Sequence, residues 1–191
     1  ESTDFQTIQN YLSFQMLLIA APYLDQQARD IYFGFTQALY GMAAQRPVEQ
    51  YVLTAVNGLM PDAMGQLYVA EYFSPEAKAD IEQLVDNLIA AFRVRLENNS
   101  WMSPETKAAA MEKLDAMKVK VGYPDKWETY ENYVIGDSYW STVFDSLVAQ
   151  AHDDMGEYGQ PIDKGKWWMS PQTVNAGYDP SNNDITFPAA I

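Results

Sequence analysis

The C-terminal end of the chain constrains the fold most, because it has the pattern of two short β-strands joined by a turn. In residues 173–178 apolar side chains alternate with small or polar ones, a period of two that predicts a strand with two unlike faces. Residues 179–184 are rich in Asp, Asn, Pro and Ser, which are typical of turns, and residues 185–187 resume the alternation. A lone hairpin is only marginally stable in water. Since few residues follow it, we expect the hairpin to pack on other elements and the chain to be a truncated part of a larger protein.

The first 120 residues have the apolar spacing of helices almost throughout, with hydrophobic side chains recurring at three and four positions. Residues 74–76 and 103–105 both read Ser-Pro-Glu. This combination places a capping hydroxyl, a proline in the first turn and a carboxylate at the positive end of a helix. A shorter helix is predicted to begin at Pro47 and to stop at the Asn-Gly pair of residues 57–58. A later helix is predicted to have Asp137 as its cap.

Composition excludes several classes of protein. With 191 residues and 48% hydrophobic content, the chain can bury a sizeable core as one domain or as portions of two. The formal charge of −14 disfavours nucleic acid and anionic membranes as partners, because both require clustered Lys and Arg. The absence of cysteine excludes disulfides and thiol chemistry. No stretch approaches the roughly 20 apolar residues that a transmembrane helix requires, so no membrane span is predicted.

The chain has too few reactive side chains to form most kinds of hydrolytic active site. His152 is the one histidine of the chain, whereas a catalytic zinc site needs three protein ligands, of which two are usually His on one helical face. There is no Gly-x-Ser-x-Gly motif, and a serine triad would have to use His152. We interpret this histidine as a cation near a helix C-terminus. The sequence therefore predicts no catalytic and no metal-ligating residue in this chain.

A group of aromatic residues leaves two interpretations open. Its members are Trp127, Tyr130, Tyr133 and Trp140. Large aromatic side chains at helix-like spacing usually belong to a core. The same rings could instead line a groove for a peptide.

Three segments carry motifs that together indicate a family. One reads Trp-Met-Ser-Pro at residues 168–171, Thr-Val-Asn-Ala at 173–176 and Ile-Thr-Phe-Pro-Ala-Ala-Ile at 185–191. A second reads Trp-Met-Ser-Pro-Glu-Thr-Lys from residue 101 and Gly-Tyr-Pro-Asp-Lys-Trp from residue 122, and a looser third begins at Gln66. In this order they resemble the neprilysin and endothelin-converting-enzyme family of zinc metallopeptidases. The lack of cysteine makes the chain resemble the bacterial members.

The resemblance implies a mainly α fold in two parts. Residues 1–122 would be a portion of the helical cap domain. Residues 123–191 would begin a thermolysin-like α+β catalytic domain, including a substrate-binding edge strand and ending in a β-hairpin. The activity implied is zinc-dependent hydrolysis of internal peptide bonds. The family's His-Glu-x-x-His motif and downstream Glu are absent from this chain, so we expect a piece that ends before the zinc motif and is inactive alone. Its partners would be peptide substrates and the remainder of the catalytic domain.

The resemblance also implies two substrate-binding residues, Asn175 and Ala176. In the family an Asn-Ala-aromatic-Tyr strand binds the substrate, and here Gly177 stands in place of the aromatic residue. From the residues alone, the Asn175 amide could hold a peptide backbone through its donor and its acceptor, or could be a polar group on the wet face of a hairpin. Ala176 could contribute its backbone or could pack as an ordinary strand residue.

Two functions of different class follow. The first is a fragment of a zinc endopeptidase; the alternative is a non-catalytic helical module that binds peptides or partner proteins. The family analogy favours an exported protein, periplasmic or at the cell surface, and leaves a cytoplasmic one open.

Overall fold

The computed structural model describes residues 3–191, and the prediction of a mainly helical fold with a C-terminal hairpin is confirmed. The elements in this part of the chain are α1 (Phe5–Ala20), α2 (Gln26–Tyr40), α3 (Val48–Leu59), α4 (Pro61–Tyr72), α5 (Pro75–Glu97), α6 (Pro104–Asp115), β1 (Lys118–Gly122), α7 (Tyr139–Gly156), β2 (Gly177–Asp179) and β3 (Asp184–Pro188). A short 3-10 turn, Ala21–Tyr23, follows α1. No helix among residues 3–191 is long and apolar enough to cross a membrane.

The two Ser-Pro-Glu motifs begin helices as predicted. The Ser74 hydroxyl accepts a hydrogen bond from the backbone N–H of Ala77 at 3.2 Å, and Ser103 accepts one from Thr106 at the same distance. These bonds satisfy backbone donors that have no partner inside the helix. Hydrogen bonds from its own backbone and from Ser74 also hold the pKa of Glu76 below its ordinary value.

Two helix boundaries differ from the prediction. α3 continues through the Asn-Gly pair and ends at Leu59. Gly58 does not adopt positive φ, and one glycine inside a helix costs only about 1 kcal/mol. The cap of α7 is Ser138 instead of Asp137, because Ser138 and Ser141 exchange side chain–backbone hydrogen bonds of 3.0 Å in a capping box.

The chain forms two compact units. The first takes in the chain as far as Leu59 together with Tyr130–Gly159, and the second consists of Met60–Thr129 and Gln160–Ile191. The boundaries between these units do not fall at Gly122, where the first predicted domain portion ends. The assignment of residues 1–122 and 123–191 to cap and catalytic domain stays a prediction.

The first unit contains α1, α2, α3 and α7. Tyr23 in the 3-10 turn contacts the ring of Tyr139 edge-on at a centroid distance of 5.3 Å and stacks on Trp140 at 6.4 Å. Val143, one turn further along α7, is 2% exposed. Burial of these side chains holds the start of α7 against the end of α1.

The second unit contains α4, α5, α6 and a sheet of three strands in the order β1-β3-β2. β1 runs parallel to β3, and β2 pairs with β3 in antiparallel register, with Gly177 opposite Thr186. The helical prediction for the first 120 residues did not include β1. The strand predicted over residues 173–178 is also shorter than expected, since β2 begins at Gly177. The hairpin therefore packs on a further strand as well as on helices.

Candidate functional site

The central strand of the sheet, β3, is anchored by side chains that point to one face. Asp184, Thr186 and Pro188 alternate along the strand and are fully buried. Val121 on β1 is 4% exposed and Met169 is 6% exposed. The hairpin thus rests on a packed core, and its position relative to β1 is fixed.

A buried ion pair ties the sheet to the loop that precedes the hairpin. Lys120 Nζ donates hydrogen bonds to Asp184 Oδ2 at 2.7 Å and to the carbonyl oxygen of Lys166 at 2.8 Å. The side chain of Lys120 is 7% exposed and that of Asp184 is 0% exposed. Charges this far from water are tolerated only when they are paired and hydrogen-bonded. The pair therefore fixes the loop at Lys166, two residues before Trp168.

The turn that leads to Asn175 is fixed by α4 and by the end of β3. Pro171 is fully buried, and its ring lies so close to Gly65 that a Cβ atom there would be 2.9 Å from Pro171 Cδ. The Gln172 side chain donates to the carbonyl of Pro61 at 3.0 Å, and the carbonyl of Pro171 accepts the backbone N–H of Ala190 at 3.0 Å. These contacts come from residues far apart in sequence and hold the turn in one place.

Asn175 and Ala176 lie between this turn and β2, instead of inside the strand as predicted. The N–H of Asn175 donates to the carbonyl of Thr173 at 3.0 Å. The side-chain oxygen of Asn175 in turn accepts the N–H of Ala176 at 2.8 Å. This bond occupies the N–H of Ala176, and the strand begins at the next residue, Gly177. The side chain of Asn175 is exposed and that of Ala176 is half-buried.

Gly177 is in contact with Trp168, a residue that the sequence analysis did not single out for the site. A Cβ atom on Gly177 would lie 2.7 Å from Cη2 and Cζ2 of the Trp168 ring, closer than real Cβ atoms approach. Gly177 has no positive φ, so the ring and not the backbone conformation excludes a side chain there. A glycine inside a strand pattern often marks such a close approach, and this was the signal available in the sequence.

The hairpin tip is held by hydrogen bonds to α6. The hydroxyl of Tyr178 donates to Asn183 Oδ1 at 2.9 Å, and Asn183 Nδ2 donates to the carbonyl of Lys113 at 2.9 Å. Asn183 adopts φ 53°, a left-handed conformation that Asn tolerates better than most residues. The ammonium of Lys113 lies 5.5 Å from the centre of the Tyr178 ring. The tip is therefore tied to α6 as well as to the sheet.

Within residues 3–191 no three His, Cys, Asp or Glu side chains converge as metal ligands would. His152 is exposed on α7 in the first unit. No step of a reaction can therefore be assigned to a metal bound by these residues.

The structure divides the aromatic group between the units. Trp127 stacks on Tyr123 at 5.8 Å in the second unit. In the first unit Tyr130 meets Tyr133 edge-on at 5.1 Å, and Trp140 packs on Phe144 at 5.5 Å. Each ring has a packing partner inside its own unit, as expected of structural aromatic residues.

Comparison with known proteins identifies the family. A model described as peptidase family M13 matches residues 1–124. The neutral endopeptidase of Lactobacillus helveticus is 31% identical over 191 residues, which cover 98% of this chain and 30% of that protein. Human endothelin-converting enzyme-like 1 is 32% identical over 197 residues, which cover 100% of this chain and 25% of that protein.

Solved structures agree with this assignment. The zinc metalloprotease Zmp1 of Mycobacterium tuberculosis in its open state superposes with a TM-score of 0.85 at 35% identity, over 100% of this chain and 30% of that one. PepO of Lactobacillus rhamnosis superposes with a TM-score of 0.82 at 37% identity, over 91% and 28%. Fold and sequence together define a chain of the zinc-metallopeptidase class. It belongs to peptidase family M13, which confirms the resemblance to the neprilysin and endothelin-converting-enzyme family. The chain spans less than a third of the length of these relatives.

Proposed function

We propose that this chain forms part of a zinc-dependent endopeptidase, in which Asn175, Ala176 and the free edge of β2 bind the backbone of a peptide substrate. The observation that carries the proposal is an exposed asparagine placed next to an edge strand by a buried turn. Both features belong to one compact unit.

The hydrogen bond inside the site orients Asn175 for this role. Because its side-chain oxygen accepts the N–H of Ala176 at 2.8 Å, the amide nitrogen is the group left to donate. Among residues 3–191 this nitrogen has no hydrogen-bond partner, and the side chain is exposed. A peptide carbonyl that lies beside the strand would provide the missing acceptor.

The edge of β2 supports pairing with an extended peptide. β3 pairs with one side of β2, and among the strands of residues 3–191 none pairs with the other. The unpaired N–H and C=O groups of an edge strand are a template for an added strand. Backbone pairing of this kind does not depend on sequence, as an endopeptidase that cleaves varied peptides requires.

The zinc and the catalytic groups would be held by residues outside this chain, in the remainder of the catalytic domain. The chain on its own is then expected to cleave no peptide. It is also expected to bind zinc no better than an unrelated acidic protein. Tight binding of one zinc per chain would overturn this part of the proposal. An exported location remains a prediction from family analogy.

The test is the substitution Asn175→Ala in the full-length protein, assayed with an internally quenched peptide. A neutral hydrogen bond contributes about 0.5–1.5 kcal/mol, so we expect kcat/KM to fall by about twofold to tenfold. If the bond forms equally in the bound substrate and the transition state, the loss appears as a higher KM at unchanged kcat.

The matched control is Asn132→Ala. Asn132 is likewise exposed but belongs to the first unit, whereas the sheet belongs to the second. The Asn132→Ala substitution is expected to leave kcat and KM unchanged. Equal kinetics for the two variants would contradict the assignment of Asn175 to substrate binding.

A further inference from the structure

We propose that Trp168 determines specificity at the edge of β2, by selecting a large apolar side chain at one position of the bound peptide. The inference rests on the proposed function, because it takes the edge of β2 as the place where peptide binds. It adds the class of substrate that this edge prefers.

The first step is the position of the ring. Trp168 fills the space that a side chain at residue 177 would occupy, with two ring atoms 2.7 Å from a Cβ atom placed there. Gly177 does not have a positive φ, so its backbone conformation does not require a glycine. A side chain is excluded there only by the Trp168 ring. The indole therefore stands on the sheet face to which residue 177 points, directly at the edge strand.

The second step is the support of the ring from below. Residues directly opposite in antiparallel strands share a face, so Gly177 shares its face with the fully buried Thr186. The Lys120–Asp184 pair lies beneath the loop and holds the carbonyl of Lys166 at 2.8 Å from Lys120 Nζ. Trp168 follows two residues later, so its backbone has little freedom to move away from β2.

The third step is exposure. Trp168 remains 52% exposed although part of its ring is covered by Gly177. A rigid, half-exposed tryptophan offers a large apolar surface at low entropic cost, which is why this residue type is enriched among binding hot spots. Tyr178, the next residue, is 41% exposed and contacts Lys113 and Asn183 instead.

The fourth step is the alternation of an added strand. A peptide that pairs with β2 points successive side chains to opposite faces of the sheet. One peptide side chain then lies against Trp168, and its neighbours point to the Tyr178 face. An aliphatic or aromatic side chain gains apolar contact with the indole, whereas Gly, Ala or a carboxylate gains little.

The test uses the full-length enzyme and a set of internally quenched peptides. Each peptide carries one Phe, moved through successive positions of an otherwise Ala and Ser sequence. In the wild type, Phe at the position facing Trp168 should raise kcat/KM over the all-Ala peptide. Trp168→Ala should reduce that ratio by about tenfold, the scale of losing apolar contacts in a pocket. Its effect on the all-Ala peptide and on peptides with Phe at the other positions should be smaller than this tenfold loss.

Two further variants distinguish a loss of preference for the peptide side chain from a general disruption of the local structure. Trp168→Phe keeps an aromatic surface and should retain most of the preference. Gly177→Ala keeps Trp168 but forces the ring to shift, so it should also change the ratio at that one position. The control is Trp101→Ala, which removes a tryptophan that is 78% exposed and distant in sequence from the strand.

The outcomes distinguish this inference from the proposed function. If Asn175→Ala lowers kcat/KM for all peptides while neither Trp168→Ala nor Gly177→Ala changes the Phe preference, Trp168 has no role in specificity and only the inference fails. If Asn175→Ala has no effect on any peptide, the proposed function fails and the inference fails with it. An equal loss on every peptide after Trp168→Ala and Trp168→Phe would assign the ring to structural support and overturn the inference.

Discussion

At the residue scale, the sequence revealed those side chains whose role is local. Ser74 and Ser103 cap helices through bonds to residues three positions away, so the motif alone was sufficient. Lys120 and Asp184 are 64 positions apart, and a single chain carries no local pattern for such a contact. The contact between Trp168 and Gly177 is closer in sequence, and its signal was the glycine in a strand pattern. Asn175 and Ala176 were predicted as substrate-binding residues from resemblance, and their role stays a prediction. The bond between them, which lies outside the strand, is one that no periodicity encodes.

The buried ion pair gives a prediction at this scale. Lys120→Met should destabilise the second unit by about 3–5 kcal/mol, because it leaves the fully buried Asp184 carboxylate without its cation. The measurement is the shift of the denaturant midpoint of the full-length protein. Lys120→Met combined with Asp184→Leu should recover part of the loss, since neither charge then remains buried. If Lys120→Met alone were as stable as the wild type, the buried carboxylate of Asp184 would not depend on the Lys120 ammonium.

At the element scale, the helices and the hairpin were predictable and β1 was not. The alternation in Lys118–Gly122 covers only five residues, and its partner β3 lies more than 60 positions later. Parallel pairing of this kind is a tertiary contact, so propensity cannot reveal it. The turn before Asn175 has the same origin, because it packs on α4 and is hydrogen-bonded to Ala190, two residues beyond β3.

The contact between α4 and this turn gives a second prediction. Gly65→Ala should destabilise the protein by about 1–3 kcal/mol, because the new Cβ overlaps the buried ring of Pro171. The displaced turn carries Asn175, so KM for peptides should rise as well.

Gly58→Ala is the matched control for this substitution. Gly58 is also helical and has nothing within 4 Å of a Cβ atom, so the change should be neutral or stabilising by about 0.5–1 kcal/mol. Thermal melts and peptide kinetics of both variants provide the comparison. Equal behaviour of the two glycine variants would mean that Pro171 does not pack against α4.

At the scale of the whole molecule, each unit exposes large apolar side chains. Phe5 and Tyr40 in the first unit are 78% and 75% exposed, and Leu67 and Tyr72 in the second are 68% and 71% exposed. Large apolar side chains exposed in such number are typical of a surface on which another chain or segment packs. The family match, and not composition or charge, is the reason to expect further sequence to pack on this surface, since the chain covers 30% of the Lactobacillus helveticus relative.

A third prediction concerns this surface. The 191-residue chain alone should self-associate at micromolar concentration and bind a hydrophobic dye such as ANS. The full-length protein should do neither. Light scattering and dye fluorescence of both proteins provide the measurement, and a monodisperse, dye-silent 191-residue chain would contradict the prediction.

The most direct test of the peptide binding proposed for β2 is hydrogen exchange of the full-length protein, with and without a non-cleavable peptide analogue. A peptide paired with the edge should protect backbone amides in residues 175–179, and Asn175→Ala should weaken that protection. The C-terminal turn of α7 around His152 should exchange equally in both states. Unchanged exchange in residues 175–179 under saturating analogue would place the substrate elsewhere and remove the basis of the proposed function.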